Sequence, residues 1–209
     1  MAGRSHTITI DPARPDKAFS RCREVLAAGG VIAYPTDTFY ALGADPQNEL
    51  AVRKLFGLKG RAPDQPILLL IAEAGVVEQW AAEVPPQAAV LMRRFWPGPL
   101  TIVFKARPLT LSLLTAGTDS IGLRVPGAPL VRDMLRFLGH ALTGTSANRT
   151  GEPDNRSARG VAAAFGDRLD LILDAGETAG GKPSTIVDVR DGTVHVLRDG
   201  AIPAQELAG

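Results

Sequence analysis

Four clusters of polar residues in this sequence are candidates for binding or catalysis, and each follows a predicted strand or lies in a loop. The first contains Thr36 and Thr38, whose hydroxyl groups suit a small polar ligand just beyond a buried strand. The second contains Lys59 and Arg61, where arginine offers phosphate a bidentate fork and lysine a mobile charge. Both clusters also have a purely structural interpretation. The first would be a hydroxyl-rich turn, and the cations of the second would complement the dipole at a helix C-terminus.

The third cluster centres on Arg124, which lies within an apolar stretch of strand length. Arginine is seldom buried without a partner, so either an internal carboxylate or an anionic ligand must pair with it. The fourth cluster, around Ser146 and Asn148, is dense in hydroxyl and amide groups, and Ser184 and Arg198 complete the set. Together these residues suit a polyanion with polar appendages, and they include no obvious general base.

Several common chemistries are excluded by what the sequence lacks. Its three histidines, His6, His140 and His195, are far apart and have no metal-ligand spacing, so we interpret them as surface or edge-strand residues. There is no Gly-x-Ser-x-Gly nucleophile elbow, no Gly-x-x-x-x-Gly-Lys-[Ser/Thr] phosphate loop, and no Gly-x-Gly-x-x-Gly after the first strand. A nucleotide would therefore have to bind without the two commonest phosphate cradles.

Composition narrows the class of protein further. The chain has 209 residues, and 23 Lys and Arg against 22 Asp and Glu give a net charge of +1, too balanced to indicate nucleic-acid binding from charge alone. The single cysteine, Cys22, excludes a disulfide framework and a cysteine-rich zinc site, and favours a reducing compartment. No signal peptide and no apolar stretch of about 18 residues is present, so we predict a cytoplasmic protein without a membrane segment.

The periodicity of apolar residues, together with capping residues, glycines and prolines, predicts the helices and strands that must position these residues. Helices are predicted after Pro15 up to Gly29, after the N-cap Asn48, at 75–82 and 86–95, from Pro129 to Gly139, and after the N-cap Ser157. Strands are predicted at 6–10, 31–34, 67–71, 100–105, 121–125, 141–144, 169–173, 185–189 and 193–197, the last two joined by an Asp-Gly turn. Loops are expected after residues 35 and 144, and fraying over 203–209. This order favours one α/β domain over residues 1–209 (core about 15–202) with a mixed or largely antiparallel sheet flanked by helices.

Seven short motifs in a fixed order carry a resemblance to a known family. They are Pro35–Gly43, Lys59–Arg61, Trp96–Thr101, Arg124–Pro126, Ser146–Gly151, Ser184–Asp188 and Leu197–Gly200. This order resembles the L-threonylcarbamoyladenylate synthases, the YrdC-domain proteins of tRNA threonylcarbamoyladenosine (t6A37) synthesis. The match runs from about residue 30 to residue 202, and it is to the short form of the family, without the additional C-terminal domain of its longer members.

The resemblance implies a YrdC-like twisted sheet with a concave, electropositive face and a nucleotidyltransferase reaction. L-threonine, bicarbonate or CO2, and ATP would give threonylcarbamoyl-AMP and pyrophosphate, with Mg2+ accompanying the triphosphate and no protein ligand assigned to it. By the same resemblance, the residues expected to bind threonine are Thr36, Thr38, Arg124 and Ser184. Those expected to bind the nucleotide are Lys59, Arg61, Gln65, Ser120, Ser146, Asn148 and Arg198, with Lys59 and Arg61 also catalytic. The segment Trp96–Thr101 is expected to be scaffold.

Three departures from the family pattern are visible. Ala62 stands where proline usually follows the arginine, Gln65 replaces a frequent asparagine, and Leu70 replaces a histidine that many members carry. The last change removes one possible threonine contact. Rejection of serine then rests on one methyl group, worth about 1–3 kcal/mol, so we expect measurable use of serine at high concentration.

Two other functions remain open on the sequence. The same basic face would suit a module that binds double-stranded RNA or tRNA through its backbone. A paralogue with a different or lost carbamoyl-adenylate activity is the second. If the synthase function holds, the resemblance implies a downstream tRNA threonylcarbamoyl transferase as the partner that consumes the adenylate.

Overall fold

The computed structural model describes residues 6–60 and 65–207, with the side chain of His6 excepted. Within these ranges the α-helices are α1 (Asp16–Ala27), α2 (Glu49–Lys59), α3 (Pro86–Phe95), α4 (Ser112–Thr115), α5 (Pro129–Leu138), α6 (Ala158–Phe165) and α7 (Ala204–Leu207). The strands are β1 (His6–Thr9), β2 (Ile32–Pro35), β3 (Tyr40–Gly43), β4 (Leu69–Leu70), β5 (Leu100–Lys105), β6 (Ser120–Arg124), β7 (Leu142–Thr143), β8 (Thr145–Ser146), β9 (Leu171–Asp174), β10 (Thr185–Asp188) and β11 (His195–Arg198). Short 3-10 turns span Ala74–Gln79 and Gly166–Arg168.

The helix boundaries follow the capping residues that the sequence contains. Asn48 caps α2 by accepting a hydrogen bond from the Ala51 N–H at 3.1 Å, and α2 ends at Gly60, whose φ of +60° is left-handed. In α5, Pro129 occupies the first turn and Gly139 ends the helix with a φ of +79°. These predicted ends are confirmed because local hydrogen bonding and backbone sterics determine them.

The strands form two sheets where the sequence analysis expected one. The five-stranded sheet has the order β1-β9-β2-β3-β8, and the six-stranded sheet has the order β11-β10-β5-β6-β4-β7. Both sheets mix parallel and antiparallel pairs, so the predicted mixed α/β class is confirmed. The division escaped prediction because strands as short as β4, β7 and β8 leave no alternating pattern in the sequence.

Buried side chains occupy two clusters on the two faces of the five-stranded sheet. One cluster contains residues of both sheets and includes Ala33 of β2 and Leu42 of β3. The other includes the buried faces of α1 and α5, together with Ile32 and Tyr34 of β2. Successive residues of β2 thus enter opposite cores, which explains its uninterrupted apolar sequence.

Two predicted irregular segments are ordered. The stretch after Pro35, expected to be a loop, contains β3, which runs antiparallel to β2, and the polar loop after residue 144 contains β8, which pairs with β3. Fraying over 203–207 is wrong: α7 forms there, and Leu207 is only 3% exposed because it packs into the core. Residues 208 and 209 lie outside the described ranges. The predicted 193–197 hairpin strand is confirmed, although β11 begins two residues later.

No helix in the described part of the chain is long and apolar enough to cross a membrane.

Candidate active site

A cavity of about 560 Å³ is lined by residues of both sheets and brings the predicted site residues together. Its walls come from β3 and β8 of one sheet and from β4, β5, β6, β10 and β11 of the other. Ten of the predicted residues line it: Thr36, Thr38, Lys59, Gln65, Ser120, Arg124, Ser146, Asn148, Ser184 and Arg198. The eleventh, Arg61, lies outside the described residues. Their individual roles remain predictions, but their convergence on one cavity is a structural fact.

The two threonines that follow β2 form a polarised hydrogen-bonded pair. Thr36 donates its single hydroxyl proton to the carbonyl of Phe39 at 2.7 Å. Its oxygen therefore accepts from Thr38, whose N–H lies 3.2 Å away and whose hydroxyl lies 3.1 Å away. The hydroxyl of Thr38 consequently presents lone pairs, and no proton, to the cavity. It is suited to accept an N–H or O–H of a ligand.

Ser120, at the start of β6, is held in the same way. Thr118 donates its hydroxyl proton to the carbonyl of Thr115 at 2.6 Å and accepts from the N–H of Ser120 at 3.3 Å. The hydroxyls of Ser120 and Thr118 are 2.8 Å apart, so Ser120 must be the donor in that contact. Ser120 therefore also faces the cavity as an acceptor, which suits a ribose hydroxyl or an amino group better than a phosphate oxygen.

Arg124 occupies the end of β6 and is 5% exposed. Its Nε donates to the carbonyl of Gly98 at 2.9 Å, and its Nη2 donates to Oδ1 of Asp37 at 2.6 Å. The sequence left open whether an internal carboxylate or a ligand pairs with this arginine, and the internal carboxylate is Asp37. Two bonds leave further guanidinium N–H groups for a ligand, because arginine has five. In the β4–β6 ladder Leu70 pairs with Arg124, so an apolar side chain borders this cation.

Lys59, Ser146 and Asn148 form a connected network at the C-terminal end of α2. The Lys59 ammonium donates to the Ser146 carbonyl at 2.6 Å and to Oδ1 of Asn148 at 3.1 Å. The Ser146 hydroxyl donates to the same Asn148 oxygen at 2.6 Å, and Nδ2 of Asn148 donates to the carbonyl of Glu152. Lys59 is only 6% exposed, so its charge is presented to the cavity from a fixed position.

Arg198 and Ser184 are joined across the β11 side of the cavity. Arg198 donates to the Ser184 carbonyl from Nε at 3.1 Å and from Nη2 at 2.8 Å, and Nη2 also reaches the Ser184 hydroxyl at 3.0 Å. Desolvation lowers the pKa of the Arg198 guanidinium; Asp154 raises it, and Arg124 lowers it further. Arg198 and Arg124 line the same cavity.

Among the cavity residues that were not predicted as site residues, four carry groups able to bind a ligand or to hold a neighbouring site residue. Thr101, expected to be scaffold, is 1% exposed and lies 3.0 Å from the Ser184 hydroxyl through its own Oγ1. Asp188 and Arg190 form an ion pair at 2.8 Å, and Asp154 adds a second carboxylate. The signals for Thr101 and Asp188 were their places in the Trp96–Thr101 and Ser184–Asp188 motifs, whereas Asp154 and Arg190 belong to none of the seven motifs.

Charge in the cavity is predominantly positive. The described lining contains Lys59, Arg124, Arg190 and Arg198 against Asp154 and Asp188. Burial acts to raise the pKa of Asp188, but hydrogen bonds from the Arg190 side chain and backbone outweigh it and lower that pKa. Asp188 therefore stays ionised and bound to Arg190. The surplus of cations suits an anionic ligand.

The sequence matches the model of the Sua5/YciO/YrdC family, described as "Telomere recombination", over residues 24–200. The chain belongs to this family. The resemblance drawn from the seven motifs is thereby confirmed.

Relatives of this Sua5/YciO/YrdC chain carry one recurring name. A threonylcarbamoyl-AMP synthase of Idiomarina loihiensis is 38% identical over 177 residues, which cover 82% of this chain and 92% of that protein. A threonylcarbamoyl-AMP synthase of Pyrococcus abyssi is 36% identical over 179 residues, which cover 86% of this chain and 53% of that protein. The chain thus spans about half the length of the Pyrococcus relative.

Among solved structures, the P. abyssi Sua5 complexed with L-threonine superimposes with a TM-score of 0.93 at 32% identity. The superposition covers 97% of this chain and 60% of that one. The fold described above is therefore that of Sua5 over nearly the whole chain.

Proposed function

We propose that this chain is an L-threonylcarbamoyladenylate synthase. The observation that carries the proposal is the convergence of ten predicted substrate-binding residues on one cavity that is lined by both sheets. The names of the relatives and the bound L-threonine of the structural neighbour support the same activity.

The proposed reaction needs positioning more than acid–base chemistry. The amine of threonine and CO2 form a carbamate with loss of a proton. A carbamate oxygen then attacks the α-phosphorus of ATP, the bond to the β-phosphate oxygen breaks, and pyrophosphate leaves. Because the nucleophile is already an anion, the site has to hold two anions together and stabilise the charge on the phosphates. A cavity rich in cations and hydroxyls meets that requirement.

We propose an orientation for the amino acid that agrees with the hydrogen-bond polarity of the site. Arg124 is the cation that receives the threonine carboxylate, and Thr38 is a pure acceptor that receives the N–H of the amine or carbamate. Asp37 precedes Thr38 in the chain and touches Arg124, so the two groups lie side by side. Lys59, Ser146 and Arg198 then remain for the nucleotide.

The expected Mg2+ fits this site only as a companion of the nucleotide. The described residues contain no cluster of three or more His, Cys, Asp or Glu side chains able to hold a metal. Asp154 is the cavity carboxylate that no described arginine or lysine holds within 4.0 Å. We propose that phosphate oxygens and water supply most ligands, as Mg2+ prefers, and that Asp154 faces the ion. The ion would neutralise phosphate charge when bound.

The test is threonine-dependent chemistry with the purified chain. ATP, L-threonine, bicarbonate and Mg2+ should yield pyrophosphate together with threonylcarbamoyl-AMP, detected by mass spectrometry. Arg124→Gln should abolish the threonine-dependent release of pyrophosphate. Arg136→Gln, which changes an exposed arginine on α5, should leave that release unchanged. Pyrophosphate release that does not depend on threonine would overturn the proposal.

The partner that consumes the adenylate and the compartment in which the chain acts are also proposed here. We propose that the adenylate is passed to a tRNA threonylcarbamoyl transferase and that the chain acts in the cytoplasm. If the synthase assay is silent while double-stranded RNA is retained in a salt-sensitive manner, the binding-module alternative gains support instead.

A further inference from the structure

The cavity must bind two different anions, a singly charged carboxylate and a polyphosphate, without exchanging their places. Two of its arginines are held by partners of opposite electrostatic character. Arg124 touches the carboxylate of Asp37 at 2.6 Å, and the side chains of the two residues are 6% and 19% exposed. Arg198 is instead held by the neutral carbonyl and hydroxyl of Ser184.

This difference determines the charge that each arginine offers. The carboxylate of Asp37 compensates much of the Arg124 charge in a region with little water to screen it. Among the described residues no carboxylate forms an ion pair with Arg198, and Asp154 acts on it only from a greater distance, so the charge of Arg198 is less compensated than that of Arg124. A ligand with two or more negative charges is repelled by Asp37 in proportion to its charge, so it loses more at Arg124 than a carboxylate does.

The position of Asp37 is itself closely fitted. A Cβ built on Gly127 would lie 2.9 Å from Oδ2 of Asp37, so only glycine leaves the carboxylate in its place beside Arg124. The backbone of Thr36 and Thr38 on either side is fixed by the hydrogen bonds to Phe39 and within the threonine pair.

We propose that Asp37 is a specificity-determining residue that reserves Arg124 for a carboxylate and excludes phosphate groups from it. The inference rests on the proposed function, because the carboxylate concerned is that of the amino-acid substrate. It adds that the negative charge next to Arg124 keeps the polyphosphate on the Arg198 side of the cavity.

The test compares anion preference in the wild type and in Asp37→Asn, which preserves shape and removes the charge. Acetate and inorganic pyrophosphate are the probes, and binding is followed by the NMR signals of the Arg124 guanidinium, with L-threonine as a third titrant. The preference for acetate over pyrophosphate at Arg124 should fall by about tenfold or more in Asp37→Asn. Pyrophosphate should then displace threonine from the variant at concentrations that leave the wild-type complex intact.

Three further variants complete the design. Asp37→Glu keeps the charge and should keep the preference. Gly127→Ala, which pushes the carboxylate away from Arg124, should lower the preference in the same direction as Asp37→Asn and serves if that variant does not fold. Asp133→Asn changes the exposed pair with Arg136 on α5 and should leave the preference unchanged.

The outcomes separate the two proposals. An unchanged preference in both Asp37→Asn and Gly127→Ala, or loss of acetate binding with no gain for pyrophosphate, would overturn the role of Asp37. A wild type that binds acetate at Arg124 but not L-threonine would overturn the proposed function alone.

Discussion

At the residue scale, the hydrogen bonds within the protein determine whether a cavity hydroxyl can act as a donor or an acceptor toward a ligand. Thr36 and Thr118 both give their only hydroxyl proton to a backbone carbonyl. Two residues further along the chain, the hydroxyls of Thr38 and Ser120 must then donate to these threonines, so they face the cavity as hydrogen-bond acceptors. Two hydroxyls that the sequence marks only as polar thus acquire a defined polarity.

The role of Thr36 as an orienting residue leads to the first prediction. Thr36→Val keeps the side-chain shape but removes the acceptor for Thr38, whose hydroxyl is then free to rotate. Affinity for L-threonine, measured by calorimetry, should fall by about 1–2 kcal/mol, the value of a lost buried hydrogen bond. Thr36→Ser retains the hydroxyl and should bind as the wild type does. Equal threonine affinity in Thr36→Val would mean that Thr38 is oriented by other contacts.

The second prediction concerns Lys59. Replacing it by methionine removes the cation that holds Ser146 and Asn148, and ATP affinity should fall by about 1.5–3 kcal/mol per lost charge-assisted contact. Arg61→Ala is predicted from the sequence to have an effect of the same size. Lys54→Met is the matched control, since Lys54 lies on the same helix but pairs with Asp170 away from the cavity. Unaltered ATP binding by Lys59→Met would place the phosphates elsewhere.

At the element scale, the segment after β11 is held against the start of β10 at very short range. The Ala201 N–H donates to the Pro183 carbonyl at 2.8 Å, and a Cβ at Gly200 would overlap the backbone of residues 183–185. This close approach places Arg198 on Ser184. The glycine of the Leu197–Gly200 motif is therefore required by packing, which the sequence pattern alone does not explain.

Gly200→Ala should consequently both destabilise the protein and weaken nucleotide binding. Overpacking of this kind costs about 1–3 kcal/mol, visible as a lower thermal midpoint. Gly57→Ala provides the contrast: its Cβ would meet nothing within 4 Å in α2, and helix propensity should stabilise that variant by up to about 1 kcal/mol. A Gly200→Ala variant as stable as the wild type would contradict the packing argument.

The β10–β11 hairpin also carries a pH-dependent ion pair. The pKa of Asp188 is lowered in the folded state, because hydrogen bonds from Arg190 outweigh the opposing effect of burial. The pair therefore contributes stability above the ordinary Asp pKa of 3.8 and loses it as pH falls through the lower folded-state pKa. Arg190→Gln should be less stable than the wild type at pH 7, by about 0.5–1 kcal/mol for a partly exposed pair. In acid-unfolding measurements the difference should shrink below pH 3.8; a constant difference would exclude the ion pair as its cause.

At the scale of the whole molecule, the cavity is lined by both sheets, and the two sheets also share one buried core. Thr38 follows a strand of the five-stranded sheet, whereas Arg124 and Ser184 belong to the six-stranded sheet or its border. A ligand that contacts all three ties the sheets together.

Ligands should therefore raise the unfolding temperature of the whole chain in a single transition. At 100 times its dissociation constant, a ligand that binds only the folded state adds about 2.7 kcal/mol of stability. L-threonine with a non-hydrolysable ATP analogue should raise the midpoint in differential scanning calorimetry more than either ligand alone. No shift with either ligand would indicate that the cavity is not the substrate site.

The helices with strong caps, such as α2 and α5, the β10–β11 hairpin and ten of the residues that line the cavity could be predicted from the sequence alone. Local hydrogen bonding and short motifs carry that information, so it is readable without a fold. Three features became visible only in the folded chain: the strands form two sheets, Thr101 lines the cavity, and Asp37 is the partner of Arg124. Those facts depend on contacts between distant segments, with Asp37 and Arg124 separated by 87 positions, and no local pattern encodes such a pairing.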